Sequence, residues 1–540
     1  MSYEILAIVV GAYALINGYL GWLGYKKTRS AEDYLLAGRE IHPVLMALAY
    51  GSTFISTSAI VGFGGAAAMF GMDLLWLTML NVFFGIFIAF VFFGKPTRAI
   101  GARLDAHTFP ELLGRRFSSR FIQGFGGAVI AFLMPLYAAA VMVGGARFME
   151  VQFGISFELS LFIFSVFVVS YVFFGGLKGV VYTDAFQGAL MLAGMLVLLF
   201  WTYSNVGWLD GHRALTGLAS HVPPKLVAQG HQGWTAMPAF ASPLWWTLVS
   251  TIVLGVGIGV LAQPQLMVRF MTVKSSKELN RAVVPGGIFI LAMTGVAFIV
   301  GALTNVYFWQ TKGKIALAMV VDPVTGKPNI DKIIPTYVNT AMPEWFGYLF
   351  MLTLLGAAMS TLSGQFHAIG TSLGRDLYQQ ALAKGKHQER TVPIAKMGIF
   401  VAFVATILLG YRLGPGVVAI ATALFFGMCG SVFLPAYLSA LYWRRATCVG
   451  VTAGMLSGFA AWALWVILIH QKESEVLGIA QMLFGKASLA VGSVWTTVDP
   501  LVIALPISAI VTVVVSLLTK PLPTEHLDRC FGRSAKPSQP

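Results

Sequence analysis

Residues 50 to 65 read Tyr50-Gly-Ser-Thr-Phe-Ile-Ser-Thr-Ser-Ala-Ile-Val-Gly-Phe-Gly-Gly65 and combine hydroxyl side chains and glycines inside a long apolar segment. The segment is long enough to cross a bilayer. In hydrocarbon every backbone N–H and C=O must find a hydrogen-bond partner, so a helix that breaks at this depth is tolerated only where it lines a cavity or binds something. We therefore predict that freed carbonyls and hydroxyls of this segment hold an ion.

The composition is that of a polytopic membrane protein. Of the 540 residues, 57% are apolar and only 11% are charged, which excludes a soluble globular chain and a disordered one. The three cysteines and nine histidines show no spacing typical of a disulfide framework or a zinc site, so redox chemistry is not expected. The first apolar run carries Glu4 before it and Lys26, Lys27 and Arg29 after it, the reverse of a secretory signal, and we interpret it as a retained helix.

Apolar segments of about 17–30 residues predict 13 transmembrane helices, and hence an all-α membrane protein in contact with the lipid bilayer. The predicted spans cover 3–24, 42–71, 74–94, 121–148, 159–177, 181–204, 244–268, 283–309, 345–372, 395–411, 416–441, 448–470 and 498–519. With the N-terminus outside, the inner segments hold 26 of the 36 lysines and arginines. The positive-inside rule therefore predicts a multi-pass protein of the cell (inner) membrane with a cytoplasmic C-terminus. The net charge of +14 is then a topology signal and not a sign of nucleic-acid binding.

Three spans carry isolated polar residues. Thr78 and Asn81 share one helical face of the third span, which predicts that this face points inward; the alternative is a hydrogen bond to a neighbouring helix. Tyr137 lies at mid-depth of the fourth span, either as a pocket residue or as a packing aromatic. Asp184, at the inner end of the sixth span, is a functional candidate because ionisable residues are costly in the membrane, or else it caps its helix.

The seventh span contains Gly255, Gly257 and Gly259 and ends near Pro264, so it is the second break-prone helix. Paired interrupted helices are typical of inverted-repeat transporters, which bind substrate where the two helices meet. Spans 2–6 and 7–11 therefore predict two five-helix repeats of opposite orientation. The predicted units are 1–41 (first span and cytoplasmic loop), 42–204 (first repeat), 205–243 (extracellular loop, as a lid or a connection), 244–441 (second repeat), 442–519 (two peripheral spans) and 520–540 (cytoplasmic tail).

The ninth span places Ala357, Ser360 and Thr361 at i, i+3 and i+4, so that a backbone carbonyl and two hydroxyls share one face. Such neutral oxygens suit a hard, weakly charged cation. The alternative is that the hydroxyls back-bond to their own helix or to a neighbour, as serine and threonine often do in membranes. Together with the broken second span, this face predicts a cage for a sodium ion, Na+.

Several motifs, in order along the chain, resemble those of the sodium:solute symporter family, which includes the sodium/proline, sodium/pantothenate, sialic acid and sodium/galactose symporters. The resemblance extends over spans 1 to about 11. Each motif alone is weak evidence, and together they are specific. The motifs are Glu32-Asp-Tyr-Leu-Leu-Ala-Gly-Arg39, Gly51-Ser-Thr-Phe-Ile-Ser56, Gly144-Gly-Ala-Arg147, Gly175-Gly-Leu-Lys-Gly-Val-Val-Tyr-Thr-Asp184, Gln263-Pro-Gln-Leu-Met-Val-Arg269 and Ala357-Ala-Met-Ser-Thr-Leu-Ser363.

This resemblance implies 13 helices around a leucine-transporter-type core of five plus five inverted helices, with alternating access driven by the sodium gradient. Asp184 corresponds to the acid near the sodium exit path, which in some members helps to bind a second sodium. By position, the principal sodium site of the family corresponds to the carbonyls of Ser52, Ile55 and Ala357 and the hydroxyls of Ser360 and Thr361.

The solute is a small molecule whose pocket, by the same resemblance, is apolar with a few neutral hydrogen-bonding groups. Phe54 stands where the proline-symporter pattern has an aspartate, which argues against proline, and the pocket is too poor in polar groups for a sugar. The run 51–58 is closer to the pantothenate and monocarboxylate branches. We therefore expect a small organic anion, with a proline-like amino acid or a sugar as alternatives. The implied pocket residues are Phe54, Ser56, Thr78, Asn81, Tyr137, Val256 and Val260.

Other classes of membrane protein fit less well. An enzyme would need clustered His, Asp, Glu or Cys in the bilayer, and Asp184 is the only carboxylate that we place within the spans, away from the outer boundary. A sensor would carry an output domain after the last span, and a channel would show rings of charge or a filter repeat. Our hypothesis is that outside sodium stabilises the outward-open state, that solute then binds between spans 2, 3, 4 and 7, and that both leave inward past Asp184.

Overall fold

In the computed structural model the described residues are 3–27, 41–172, 177–323, 326–382 and 391–532. Throughout these ranges the regular structure is helical, and β contacts are limited to two isolated bridges, Ile41 with Val273 and Val321 with Pro328. The prediction of an all-α protein is therefore confirmed. The motif at 32–39, the glycines 175 and 176 and the end of the predicted tail from residue 533 lie outside the described residues.

Twenty-five α-helices, numbered in chain order, make up most of the described chain. They are α1 Tyr3–Lys27, α2 Pro43–Phe54, α3 Phe63–Phe70, α4 Leu75–Val82, α5 Lys95–Arg103, α6 Phe109–Arg116, α7 Arg120–Phe153, α8 Phe157–Val172, α9 Leu177–Val206, α10 Leu209–Gly217, α11 Pro224–Ala228, α12 Pro243–Trp246, α13 Gly257–Gly259, α14 Pro264–Met267, α15 Ser276–Lys312, α16 Ala316–Met319, α17 Ile333–Ala341, α18 Glu344–Thr371, α19 Thr391–Arg412, α20 Val418–Tyr442, α21 Cys448–Leu468, α22 Gln471–Leu477, α23 Ile479–Phe484, α24 Leu501–Leu518 and α25 Thr524–Phe531. Segments of π-helix cover Ser58–Gly62, Phe83–Gly94, Thr247–Val256 and Ser372–Leu382, and 3₁₀ turns cover Gly71–Leu74, Leu218–His221, Val260–Ala262, Val268–Met271, Ile330–Lys332 and Val494–Thr497.

Eleven helical stretches of the described chain are long and apolar enough to cross a membrane. Two shorter apolar helices, Pro43–Phe54 and Phe157–Val168, accompany them. The predicted spans 42–71 and 74–94 meet at Gly71, which ends α3 with a φ of 75°. The stretches are Glu4–Gly24, Ser58–Arg103, Arg120–Phe153, Gly179–Val206, Pro243–Ala262, Ser276–Lys312, Glu344–Gln380, Pro393–Arg412, Val418–Tyr442, Cys448–Leu468 and Leu501–Leu518.

Both helices that were predicted to break are interrupted. α2 ends at Phe54, and Ile55 takes an extended conformation with φ −90° and ψ 104° before helix resumes in the π-turn from Ser58. The second interruption lies at Gln263, which is also extended (φ −72°, ψ 114°), and Pro264 then begins α14. An extended residue cannot continue the i to i−4 hydrogen bonding of a helix, so backbone groups are released at both points.

The end of α2 is enclosed by other helices. α2 packs on α9, α15 and α18, and α18 also contacts α7 and α9. The approach of α18 is close, because a Cβ added to Gly364 would lie 3.0 Å from Thr53 Cγ2. Ser52 and Thr53 are fully buried as a result. Their polar atoms therefore face protein groups or a bound ligand.

The predicted outer loop 205–243 docks on the end of α3 instead of crossing the surface freely. Trp234 is fully buried, and its indole Nε1 donates to the carbonyl of Ala68 at 2.8 Å. Met72 N–H donates to the carbonyl of Trp234 at 2.8 Å. A Cβ on Gly71 would lie 1.9 Å from that same carbonyl oxygen, so this position requires glycine. The loop thus fixes the helix that follows the first break.

Candidate ion and solute sites

Hydroxyl groups of α18 meet the backbone of α2 just before its break. Ser360 Oγ donates to the carbonyl of Ser52 at 2.8 Å, and Thr361 Oγ1 donates to the carbonyl of Thr53 at 3.1 Å. Ser360 Oγ also lies 2.7 Å from the carbonyl of Gly356, so the back-bond within its own helix is present as well. Ser360 thus bonds both to its own helix and to the neighbouring α2, whereas the hydrogen bonds described for Thr361 go to α2.

Four of the five predicted sodium ligands lie in this contact. Ala357 carbonyl oxygen is 3.4 Å from Ser360 Oγ, and Ser52, Ala357, Ser360 and Thr361 are all fully buried. Ile55 is buried at the break itself and takes no part in these hydrogen bonds. Carbonyl and hydroxyl oxygens without a formal charge are ligands that suit a hard, monovalent cation. The donor set thus fits sodium.

Asp184 lies next to this contact and is bound by groups from three other segments. Its Oδ2 accepts hydrogen bonds from Arg269 Nη2 at 2.6 Å and from Thr53 Oγ1 at 3.3 Å, and its Oδ1 accepts one from Ser363 Oγ at 3.3 Å. The side chains of Asp184 and Arg269 are 0% and 1% exposed. This ion pair ties α9 to the end of α2, to α18 and to the turn after the second break.

Sequence reasoning missed Arg269 as the partner of Asp184. We counted it among the inner basic residues because it follows the seventh span, and 85 positions separate the pair along the chain. A signal was available, because a lone carboxylate inside a predicted span requires a partner. Arg269 belongs to the motif 263–269 and was the nearest candidate cation to the second break.

A small internal cavity adjoins the first break and contains most of the predicted solute residues. Phe54, Ser56, Asn81, Tyr137 and Val256 line it. The other lining residues, none of which was predicted to bind solute, are Ile55, Ala59, Phe63, Leu77, Thr294, Phe298, Thr422 and Phe426. The cavity is therefore built around the break from α3, α4, α7, α15, α20 and the π-helix Thr247–Val256.

Two predicted solute residues lie beside this cavity and not on its wall. Thr78 is buried one helical turn from Asn81, which agrees with the prediction that this face points inward. Val260 packs near Gly85, where an added Cβ would lie 3.1 Å from Phe54 and 3.5 Å from Val260. Val260 and the ring of Phe54 thus both lie against Gly85.

Aromatic rings and one unpaired amide determine what the cavity can bind. Phe426 contacts both Phe54 and Tyr137, with ring centroids 6.3 Å and 5.3 Å away. Asn81 Oδ1 is buried and has no hydrogen-bond partner in the described structure. Buried polar atoms are normally paired, so this acceptor is available to a ligand. None of the described lining residues carries a formal charge.

A buried polar cluster joins α6 to the π-helical segment that continues α18. Glu111 accepts hydrogen bonds from Arg375 Nε at 2.8 Å and Nη2 at 2.9 Å, and it lies 2.7 Å from Arg115 Nη2. Asp376 accepts a hydrogen bond from Gln123 Nε2 at 2.8 Å. We call these five residues the inner cluster. Glu111 and Asp376 are fully buried, so Asp184 is not the only enclosed carboxylate of the helical core.

Glu111 is held ionised by its neighbours. Burial by itself would raise its pKa, but hydrogen bonds from His107 and Arg375 and the charges of Arg375 and Arg115 hold the pKa well below its ordinary value. A depressed folded-state pKa contributes stability above the unfolded value of about 4.3, and this stability is lost as the pH falls further. The ionised Glu111 therefore contributes to stability throughout the physiological pH range.

Glu111→Gln is expected to lower the thermal midpoint of the detergent-purified protein by several degrees at pH 7. The change leaves Arg375 and Arg115 facing a neutral group, at a cost of roughly 2–3 kcal/mol. Glu278→Gln is the matched control, because Glu278 pairs with the exposed Arg281 at 3.2 Å. Such exposed pairs contribute about 0–1 kcal/mol. Equal midpoints for the two variants would contradict a stabilising role of the cluster.

Known proteins resemble this chain along most of its length. The osmoregulated proline transporter OpuE of Bacillus subtilis (strain 168) is 28% identical over 482 residues, which cover 89% of this chain and 92% of OpuE. A sodium/proline symporter of Staphylococcus aureus (strain NCTC 8325 / PS 47) is 27% identical over 531 residues, covering 95% and 92% of the two chains.

A solved structure shows the same fold, and a family model identifies the family. The substrate-bound outward-open state of a Na+-coupled sialic acid symporter superimposes with a TM-score of 0.71 at 18% identity, covering 96% of this chain and 98% of the other. The model of the sodium:solute symporter family matches residues 34–458. The chain therefore belongs to the sodium:solute symporter family, whose members are sodium-coupled transporters and not enzymes.

Proposed function

We propose that this chain couples the entry of sodium to the uptake of a small amino acid. The observation that carries the proposal is the contact of Ser360 and Thr361 with the carbonyls of Ser52 and Thr53, directly beside the cavity lined by Phe54. Neutral oxygens for a cation and a cavity for a solute thus share one helix break. Sodium coupling itself follows from the family.

An amino acid replaces the organic anion that the run 51–58 suggested. The named relatives are proline transporters, so the comparisons favour the amino-acid alternative. The uncharged lining of the cavity agrees with this. A net anion would have only the sodium ion as a countercharge, whereas a zwitterion carries a positive charge of its own. Phe54 remains the position at which the chain departs from the proline-symporter pattern, and we therefore propose the class of small amino acids without singling out proline.

The cavity offers a partner to each end of such a zwitterion. An ammonium group is attracted to aromatic faces, here Phe54, Tyr137 and Phe426, and to the unpaired Asn81 Oδ1. A carboxylate can accept from the hydroxyl of Ser56, from backbone N–H groups freed at the break and from the bound sodium. A small side chain then fills the apolar wall that Val256 contributes.

In this mechanism sodium binds first, between the end of α2 and α18, and holds the break in the shape that the solute cavity needs. Each ligand then binds better when the other is present, which is the thermodynamic basis of coupling. The same proposal includes the topology: thirteen spans, a five-plus-five inverted repeat between 42 and 441, an external N-terminus and a cytoplasmic tail.

The exit toward the inside passes Asp184. A narrow cavity is lined by Gln265 and Arg269, which follow the second break, and by His107 and Thr108, which precede α6. It therefore leads from the Asp184–Arg269 pair to the region of the inner cluster. Arg269 already neutralises the charge of Asp184. We therefore propose that Asp184 fixes the helices around the exit path through its hydrogen bonds and does not bind a second sodium.

A thermal-shift screen tests the solute class. Purified protein is heated with proline, other small amino acids, monocarboxylates or pantothenate, each in sodium and in potassium. We expect a small amino acid to raise the midpoint in sodium only, and Asn81→Ala to reduce that shift. Asn205→Ala, on the exposed end of α9, is the matched control. Stabilisation by a monocarboxylate or pantothenate, without an effect of any amino acid, would restore the organic-anion alternative.

A further inference from the structure

An open groove of about 380 Å³ lies between the start of α7 and the C-terminal helix α25. We define the basic groove by six of its lining residues: Arg115, Ser119, Arg120, Gln123, His526 and Arg529. None of the described residues that line it is acidic. The groove lies on the side of the inner cluster, which the distribution of lysine and arginine assigns to the cytoplasm.

Two of its three arginines have no ion-pair partner among the described residues. Arg120 and Arg529 are exposed and enter no hydrogen bond or ion pair among the described residues. Two nearby carboxylates are already engaged, since Glu111 binds Arg375 and Arg115, and Asp528 of α25 lies 2.7 Å from Arg444 Nη2. Two guanidinium groups therefore face the same groove without an ion-pair partner in the described part of the chain.

The N-terminus of α7 adds to this potential. Ser119 caps this 34-residue helix, and its hydroxyl accepts from Ile122 N–H at 3.2 Å. Arg120 is the first residue of the helix, so its side chain and the positive end of the helix dipole act at one place. Helix N-termini with nearby guanidinium groups bind phosphate oxygens in many proteins.

The opposite wall is anchored to the rest of the protein. His526 Nε2 donates to the carbonyl of Arg116 at 3.0 Å, and Arg103 Nη1 donates to the carbonyl of Cys530 at 3.1 Å. Leu527 and Cys530 are buried beneath α25. Arg529 is thus carried by a helix that is fixed in position, and the groove is preformed.

We propose that the basic groove binds a phosphate-class anion. Two guanidinium forks and a helix N-terminus recognise the charge and the several acceptor oxygens of a phosphate group. An anionic lipid headgroup and free phosphate present the same chemistry, and both are sources to be distinguished. Arg115 and Gln123 of the groove also bind Glu111 and Asp376, so the ligand lies one contact away from the continuation of α18.

The test measures binding directly and does not depend on transport. The thermal midpoint of the purified chain is measured at increasing concentrations of inorganic phosphate or short-chain phosphatidylglycerol, at constant ionic strength. Chloride and short-chain phosphatidylcholine are the references. We expect a saturable rise, and in Arg120→Gln/Arg529→Gln a need for at least about tenfold more ligand. Lys277→Gln/Arg281→Gln removes the same charge from exposed residues outside the groove and is expected to respond as the wild type does.

The outcomes separate the two sources. A groove-dependent response to phosphatidylglycerol alone identifies a lipid headgroup, and one to phosphate alone identifies a soluble anion. A further measurement uses only the wild type and so does not depend on whether the groove variant folds. Native mass spectrometry monitors whether phosphate displaces bound phosphatidylglycerol, and displacement shows that the two ligands share a site. The proposal is overturned if neither ligand acts beyond its reference, or if the groove variant and the control respond equally.

Discussion

Ser360→Ala combined with Thr361→Ala is expected to abolish sodium-stimulated uptake at ordinary sodium concentrations. The two hydroxyls lie 2.8 Å and 3.1 Å from the carbonyl oxygens of Ser52 and Thr53, so the variant removes two neutral oxygens from the proposed cage. If each oxygen contributes about 1–1.5 kcal/mol, half-saturation by sodium rises roughly 100-fold. The measurement is the initial rate of uptake into proteoliposomes as a function of sodium concentration.

Thr353→Ala is the control for the loss of a hydroxyl from the same helix. Thr353 is fully buried in α18, and its hydroxyl donates to the carbonyl of Leu349 at 2.9 Å, within its own helix. We expect its sodium dependence to stay near that of the wild type. If Ser360 and Thr361 only back-bonded, their loss would resemble that of Thr353, and uptake with unchanged sodium dependence in the double variant would refute the site.

Asp184→Asn or Arg269→Gln alone is expected to reduce the yield of folded protein sharply. Each leaves one buried charge without its partner, which costs roughly 3–5 kcal/mol. The pair links α9, the end of α2, α18 and the turn after the second break, so the loss falls where four segments meet. Fluorescence-detected size-exclusion chromatography after heating measures the folded fraction of each variant.

The double variant Asp184→Asn/Arg269→Gln tests whether the single variants lose stability because they leave one buried charge without its partner. It removes both charges and is expected to recover much of the stability that either single variant loses. Asp210→Asn is the control, because Asp210 is highly exposed and lies 3.6 Å from the exposed Arg213, and we expect no measurable change. A double variant as unstable as the sum of the single variants would mean that the two side chains do not stabilise each other.

Local patterns predicted much of the fold and of the ion site. Glycine, proline and hydroxyl side chains inside apolar runs indicated the two interruptions, now placed at Ile55 and Gln263, because such residues weaken helices whatever surrounds them. The spacing of Ala357, Ser360 and Thr361 likewise depends only on helix geometry. Features determined by the backbone of one segment are therefore readable from the sequence.

Contacts between distant segments were not readable in the same way. The ion pair of Arg269 with Asp184 spans 85 positions, and that of Arg375 with Glu111 spans 264. No sequence periodicity indicates which of these charges will meet. Phe426 was missed for another reason, since an apolar side chain in a membrane helix resembles any core residue until its neighbours are known. The expectation of an organic anion has the same origin. Solute selectivity depends on which side chains of distant segments converge on the cavity, and the sequence does not indicate this.

The most direct measurement is the mutual effect of sodium and solute on each other's binding. Affinity for the solute identified by the screen is measured calorimetrically at increasing sodium, and affinity for sodium at increasing solute. We expect each ligand to raise the affinity of the other by the same factor, in the wild type and in Thr353→Ala, and expect that factor to fall to one in Ser360→Ala/Thr361→Ala. Solute binding of equal strength in sodium and in potassium by the wild type would contradict the proposal that one helix break serves both ligands.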